Sequence, residues 1–146
     1  MKFKLIIDPS KEEEVVVTAH AESPLTQRIQ ALAAETEEFR RLLAFREDDM
    51  VMLDMEDIVC FTVQDGKTYA VDTKNVHYRL KQRLYELESR LPGHYIRINK
   101  SAIANEKHIL RFRAGFSGAV DAVFRGGYSD YVSRRCFAMI KRRYEQ

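Results

Sequence analysis

The 146-residue chain is 45% hydrophobic and 32% charged, enough apolar side chain for one core, or for one core with a small satellite, and too little for three domains. Its formal charge of +2 hides an asymmetry, because residues 1–50 hold seven basic against eleven acidic side chains and residues 51–146 hold seventeen against eleven. No run approaches the roughly 18 apolar residues of a membrane helix, and the opening MKFKLIIDPSKEEE meets charge too early for a signal peptide, so a cytoplasmic location is expected.

Phe3, Leu5 and Ile7 alternate with their neighbours, as do Val15, Val17 and Ala19 after the polar turn Asp8-Pro9-Ser10-Lys11, which predicts strand, turn, strand. Ser23 followed by Pro24 has the chemistry of a helix start. Leu25, Ile29, Leu32, Thr36 and Phe39 then recur at helical spacing. The reading for residues 1–42 is a small β-β-α segment, too slight to stand alone, that packs on the rest or on another copy and serves assembly or signal input.

From about Leu42 short apolar runs alternate with polar turns: RLLAF, MVML, DIVCFTV, then Gln64-Asp65-Gly66-Lys67, then TYAVDT. Asp65-Gly66 is a hairpin signal, since such turns demand positive φ. Val76, Leu80, Leu84, Leu87 and Leu91 lie on one stripe of a helix ended by Pro92-Gly93. YIRI, ILRF, AVDAVF, a turn at Arg125-Gly126-Gly127, YSDYV and a closing helical SRRCFAMIKRRYEQ complete the chain. Residues 43–146 therefore read as one mainly β domain with short helices.

Catalytic and metal spacings are missing from the sequence. His20, His77, His94 and His108 share no H-x-x-x-H or Cys/His pattern, and the glycines lack a phosphate-loop or dinucleotide context. Asp8 near the end of a first strand is not followed by the alternating parallel strands of a receiver domain. Cys60 and Cys136 sit in apolar runs and read as buried reduced thiols. We expect neither enzyme activity nor a cofactor, metal or small-molecule substrate. The basic second part attracts polyanions by its summed field without naming one.

Three segments are more specific. Asp57-Ile58-Val59-Cys60-Phe61 is similar to a D-I-x-aromatic-apolar strand, with Cys60 at the aromatic position. Tyr95-Ile96-Arg97-Ile98-Asn99-Lys100-Ser101-Ala102-Ile103-Ala104-Asn105 resembles the signature F-x-R-x-H-x-S-x-x-V-N, with Asn99 for His and Ala104 for Val. Tyr131-Val132-Ser133-Arg134-Arg135 is like a V-S-R-R/K motif opening the last helix. In this order they resemble the LytTR DNA-binding domain over residues 43–146, in a stand-alone regulator without a receiver domain.

That resemblance implies an elongated, mostly antiparallel β fold that places loops, rather than a recognition helix, into successive grooves of double-stranded DNA. It implies DNA contacts at Lys67 and Thr68, at Asn99, Lys100 and Ser101, and at Arg134 and Arg135. Relatives commonly bind paired direct repeats as homodimers, and small stand-alone versions are often paired with a membrane protein that restrains them. A guanidinium at Arg134 suits the guanine edge, and an amide at Asn99 suits adenine. Lys67, Lys100 and Arg135 suit phosphate.

Each residue also has a plainer reading. Lys67 and Thr68 fit solvated turn positions, Arg134, Lys141 and Arg142 a solvated basic face, Ser101 a loop cap and Asn105 a turn held through its own backbone. Val132, Cys136, Met139 and Ile140 form the core stripe of the closing helix. Two other functions stay open. One is a protein-interaction module whose basic face meets an acidic partner or an anionic membrane surface; the other is single-stranded RNA binding, which would need exposed platforms among Tyr69, Tyr78, Tyr85 and Tyr95.

Overall fold

A computed structural model describes residues 2–12, 14–35 and 40–145, the side chains of residues 34 and 35 excepted. Helix α1 (Pro24–Glu35) begins where the Ser-Pro pair predicts. The Ser23 hydroxyl accepts from the Thr26 amide at 3.2 Å, and the Thr26 hydroxyl oxygen accepts from the Ser23 amide at 2.8 Å, so two otherwise orphaned donors satisfy each other's residues. Thr36 and Phe39, the last positions of the predicted stripe, lie outside the described residues.

Among the described residues the predicted N-terminal strand pair is not formed. Its turn closes, with the Lys11 amide donating to the Asp8 carbonyl at 3.1 Å. The Asp8 carboxylate accepts from the Ser10 amide and hydroxyl, which holds that carboxyl below its ordinary pKa. No ladder follows on either side. A lone two-stranded ribbon without a covering layer is marginal in water, and Phe3, Leu5, Ile7, Val15 and Val17 are all exposed.

From Arg41 the β pattern of the sequence is realised. Strands β1 (Arg41–Arg46), β2 (Asp49–Asp54), β3 (Ile58–Gln64), β4 (Lys67–Asp72) and β5 (His77–Leu80) are followed by helix α2 (Leu84–Glu88), then β6 (Tyr95–Asn99) and β7 (Ala102–Asn105). Together the seven strands form one antiparallel sheet in the order β2-β1-β5-β4-β3-β7-β6. Strands β8 (Ile109–Ala114), β9 (Val120–Phe124) and β10 (Ser129–Val132) make a second antiparallel sheet, and helix α3 (Arg134–Tyr144) closes the chain.

The large sheet is the middle layer. Leu84 and Leu87 of α2 pack with Leu42, Ile58, Phe61 and Ile103 on one face. Val59, Cys60, Val71 and Ile98 meet Ala122, Phe124, Val132 and Ile140 from the second sheet and α3 on the other. Covered on both faces, β3 reads as a near-continuous apolar run instead of alternating. A register shift between Ile58 and Cys60 puts Val59 and Cys60 into the same core.

The helix predicted over 76–91 is corrected to a strand followed by a short helix. Leu80 belongs to β5, paired with Thr68 of β4, yet it enters the same core cluster as Leu84 and Leu87. A leucine stripe reports a shared destination, and here two different elements supply it. Within α3 the expected core stripe shifts by one position: Ile140 is buried and Cys136 half-buried, whereas Met139 is 59% exposed. Phe137 takes its place against Phe112, ring centroids 5.5 Å apart, because positions 133, 136, 137 and 140 share one helical face. Both cysteines are unpaired, Cys60 buried and Cys136 half-buried. Burial and the Asp130 charge push the Cys60 thiol well above its ordinary pKa.

At the Arg125-Gly126-Gly127 turn, Gly126 has φ +88°. A Cβ there would lie 2.1 Å from the Thr73 carbonyl oxygen, so only glycine lets this hairpin rest against the loop after β4.

Candidate nucleic-acid interface

The strand registers bring the β3–β4 turn, the β6–β7 turn and the start of α3 to one end of the molecule. Asp65 and Gly66, at φ 51° and 75°, close the predicted turn between β3 and β4 and leave Lys67 exposed at its exit. Thr62 of β3 pairs with Ala102 of β7, and the Val63 amide donates to the Ser101 carbonyl at 2.8 Å. The β6–β7 turn, with Lys100 exposed and Ser101 half-buried, therefore lies beside the β3–β4 turn.

The start of α3 is tied to the same place. The Ser133 amide donates to the Ile98 carbonyl at 2.8 Å, while the Ser133 hydroxyl caps α3 by accepting from the Cys136 amide at 3.2 Å. Arg134 and Arg135 follow at once, both exposed. The far end of α3 is held too: the Tyr144 hydroxyl donates to the Glu106 carboxylate, which also meets the Arg143 guanidinium at 3.4 Å. That bond raises the Tyr144 pKa.

Two expected contact residues face inward. Asn99 is 2% and Thr68 7% exposed, so neither offers a side chain to a ligand in this structure. Asn99 instead joins three segments. Its amide donates to the Tyr131 carbonyl at 2.7 Å and to the Asp130 carboxylate at 3.3 Å, and its side-chain oxygen accepts from the Ser101 amide at 2.8 Å. The motif reading missed this because a signature position gives no direction. Asn105 behaves as its plainer reading predicts, accepting from the Lys107 amide at 3.1 Å and donating to the Ile58 carbonyl at 3.0 Å.

Arg97 braces the turn that carries Lys100. Its guanidinium donates to the Lys100 carbonyl at 2.8 Å and to the Glu88 carboxylate at 2.5 Å. Lys81 and Arg83 are exposed just beyond β5. Because Leu80 pairs with Thr68, they emerge beside the β3–β4 turn. Lys67, Lys81, Arg83, Lys100, Arg134 and Arg135 are thus exposed cations at one end of a β scaffold, suited to the phosphates of a polyanion.

Comparison with known proteins identifies the family and the fold. The sequence profile of the LytTr DNA-binding domain matches residues 48–145. The chain belongs to the LytTR DNA-binding domain family. Uncharacterized HTH-type transcriptional regulators of Staphylococcus aureus strains MSSA476, MW2 and NCTC 8325 are each 30% identical over 146 residues, covering 98% of this chain and 97% of the relative. The LytTr DNA-binding domain of a methyl-accepting/DNA response regulator from Bacillus cereus superposes with a TM-score of 0.65 at 20% identity, over 72% of this chain and 96% of that one. The shared fold is mainly β, as expected from the sequence. Among the described residues of this LytTR chain, α2 and α3 are separated by five strands, so no helix–turn–helix is present there.

Proposed function

We propose that this LytTR chain is a sequence-specific transcription regulator that reads double-stranded DNA with loops set in successive grooves. The observation that supports it is the alignment of Lys67, the Lys100–Ser101 turn and Arg134–Arg135 along one end, fixed by the bonds of Asn99, Val63 and Ser133. Arg134 is the base-reading residue, because a guanidinium can bond guanine O6 and N7 together. Lys67, Lys100 and Arg135, joined by Lys81 and Arg83, clamp phosphates and fix register. Asn99 and Thr68 position these groups from beneath. It is a binding protein rather than an enzyme, working in the cytoplasm. Selection of bound duplexes from a random pool tests the reading: a consensus supports it, and no enrichment overturns it.

Residues 1–42 serve assembly or signal input in this reading, with DNA bound by a homodimer at paired direct repeats and a membrane protein as a fitting restraint. Phe3, Leu5, Ile6, Ile7, Val15 and Val16 are exposed, and large apolar side chains left in water in such number suit an interaction surface. Sedimentation of the full chain against its Leu5→Ser/Ile7→Ser variant decides: a dimer that becomes a monomer supports assembly, and unchanged mass removes it. The second reading, a basic face for an acidic protein or membrane, predicts that random duplex competes as well as selected duplex.

A further inference from the structure

We infer that the β8–β9 loop is a fourth DNA-contacting element and that Phe116 packs its ring against a base step at the outer end of the site, beyond Arg134. The inference rests on the DNA-binding reading and extends it to a loop that none of the motif segments includes. Ala114 pairs with Val120, and Val120 with Val132. The tip of the β8–β9 hairpin therefore projects at the same end of the small sheet from which Ser133 and Arg134 leave. Along that end the order is Lys67, Lys100, Arg134 and then Phe116.

Phe116 is 99% exposed. Its loop is a formed structure: the Gly115 amide donates to the Ala119 carbonyl at 2.7 Å and the Ala119 amide to the Phe116 carbonyl at 3.4 Å. Ser117 and Gly118 both hold left-handed backbone, φ 65° and 76°, so the chain doubles back with the ring at its apex. Between this loop and α3 lies a groove of about 400 Å³, with Ser117 and Gly118 on one wall and Arg134, Phe137 and Lys141 on the other. An exposed apolar ring on a loop that faces Arg134 and Lys141 across a groove suits a polyanion with flat apolar faces inside it. A purely apolar protein surface would have to desolvate both cations without repaying them. Phenylalanine wedged at a base step also bends the duplex, which lengthens contact with a row of loops.

The test uses the full chain and the duplex selected from a random pool. Phe116→Ala should weaken binding roughly 5- to 100-fold, reduce the bend measured by end-to-end energy transfer, and leave the dependence of affinity on salt unchanged, because no ion pair is lost. Phe116→Trp should restore both affinity and bend. Circular dichroism and urea midpoints should match wild type for both variants. Wild-type affinity and bend in Phe116→Ala would overturn the inference while leaving the DNA-binding reading intact; failure of the wild-type chain to select any duplex would remove that reading itself. A third outcome, loss of cooperativity between paired sites with normal binding to a single site, would assign Phe116 to a second copy of the chain and likewise overturn DNA contact.

Discussion

The side-chain amide of Asn99 reaches the backbone carbonyl of Tyr131 at 2.7 Å, joining the last residue of β6 to the strand that feeds α3. Because its oxygen simultaneously accepts from the Ser101 amide, one buried side chain sets the spacing between the Lys100 turn and Arg134. Asn99→Ala leaves the part-buried Tyr131 carbonyl and Ser101 amide without these partners and should cost about 1 to 3 kcal/mol of stability. Asn99→Asp should cost more, since it places a second carboxylate beside Asp130 and loses both donors. Urea unfolding measures this. A stable Asn99→Ala protein that still lost DNA affinity would return Asn99 to the contact surface.

Arg134 and Lys100 should fail in different ways. Arg134→Ala should cost about 1 to 3 kcal/mol at the selected site and flatten base preference at one position. Lys100→Ala should weaken selected and random duplexes alike and lower the salt slope by about one. Both side chains are exposed, so unfolding midpoints should hardly move. Gel-shift series at several salt concentrations separate the two.

Gly126→Ala is expected to be among the costliest small substitutions in the chain. Left-handed strain alone is worth about 1 to 3 kcal/mol, and the added methyl meets the Thr73 carbonyl. By contrast Gly127→Ala, at φ +95° with open space around its Cβ position, should carry the strain without the collision. Comparing the two thermal midpoints isolates the backbone contact.

Stability should fall on the alkaline side. Burial raises the Cys60 thiol and the Tyr128 hydroxyl above their ordinary pKa values, and the charge on Asp130 adds to both. Above about pH 8.5, the ordinary thiol value, the unfolded chain releases the Cys60 proton while the folded chain keeps it, so stability drops as pH rises. The slope per group is about 1.4 kcal/mol per pH unit until the folded group ionises. Cys60→Ala should make the decline shallower between pH 9 and 10 in urea unfolding. Equal slopes would show that the thiol does not contribute.

Legibility in the sequence followed the distance over which each signal acts. The β3–β4 turn was readable because Asp65-Gly66 states its own φ requirement, and α3 because Val132, Cys136, Met139 and Ile140 recur at helical spacing. Leu80 misled because a strand and a helix delivered their leucines to one core. The N-terminal strips were readable as β-prone but not as unpaired, since pairing needs a covering layer that residues 2–22 do not contain. Within the site, Arg134 and Lys100 were correctly read as surface groups, whereas the inward turn of Asn99 depends on Tyr131, 32 residues away. Phe116 carried no sequence signal, because exposure is a property of the fold.

The hold of Arg97 on the Lys100 carbonyl and on Glu88 belongs to a layer of bonds that sets the geometry of the loops without occupying their outer surface. Side chains at 67, 100, 134 and 135 can therefore be exchanged while the spacing between them is kept. Such a scaffold can drift from one operator sequence to another through single substitutions, each tested on a protein that still folds, and duplicated copies can acquire separate targets without rebuilding the core.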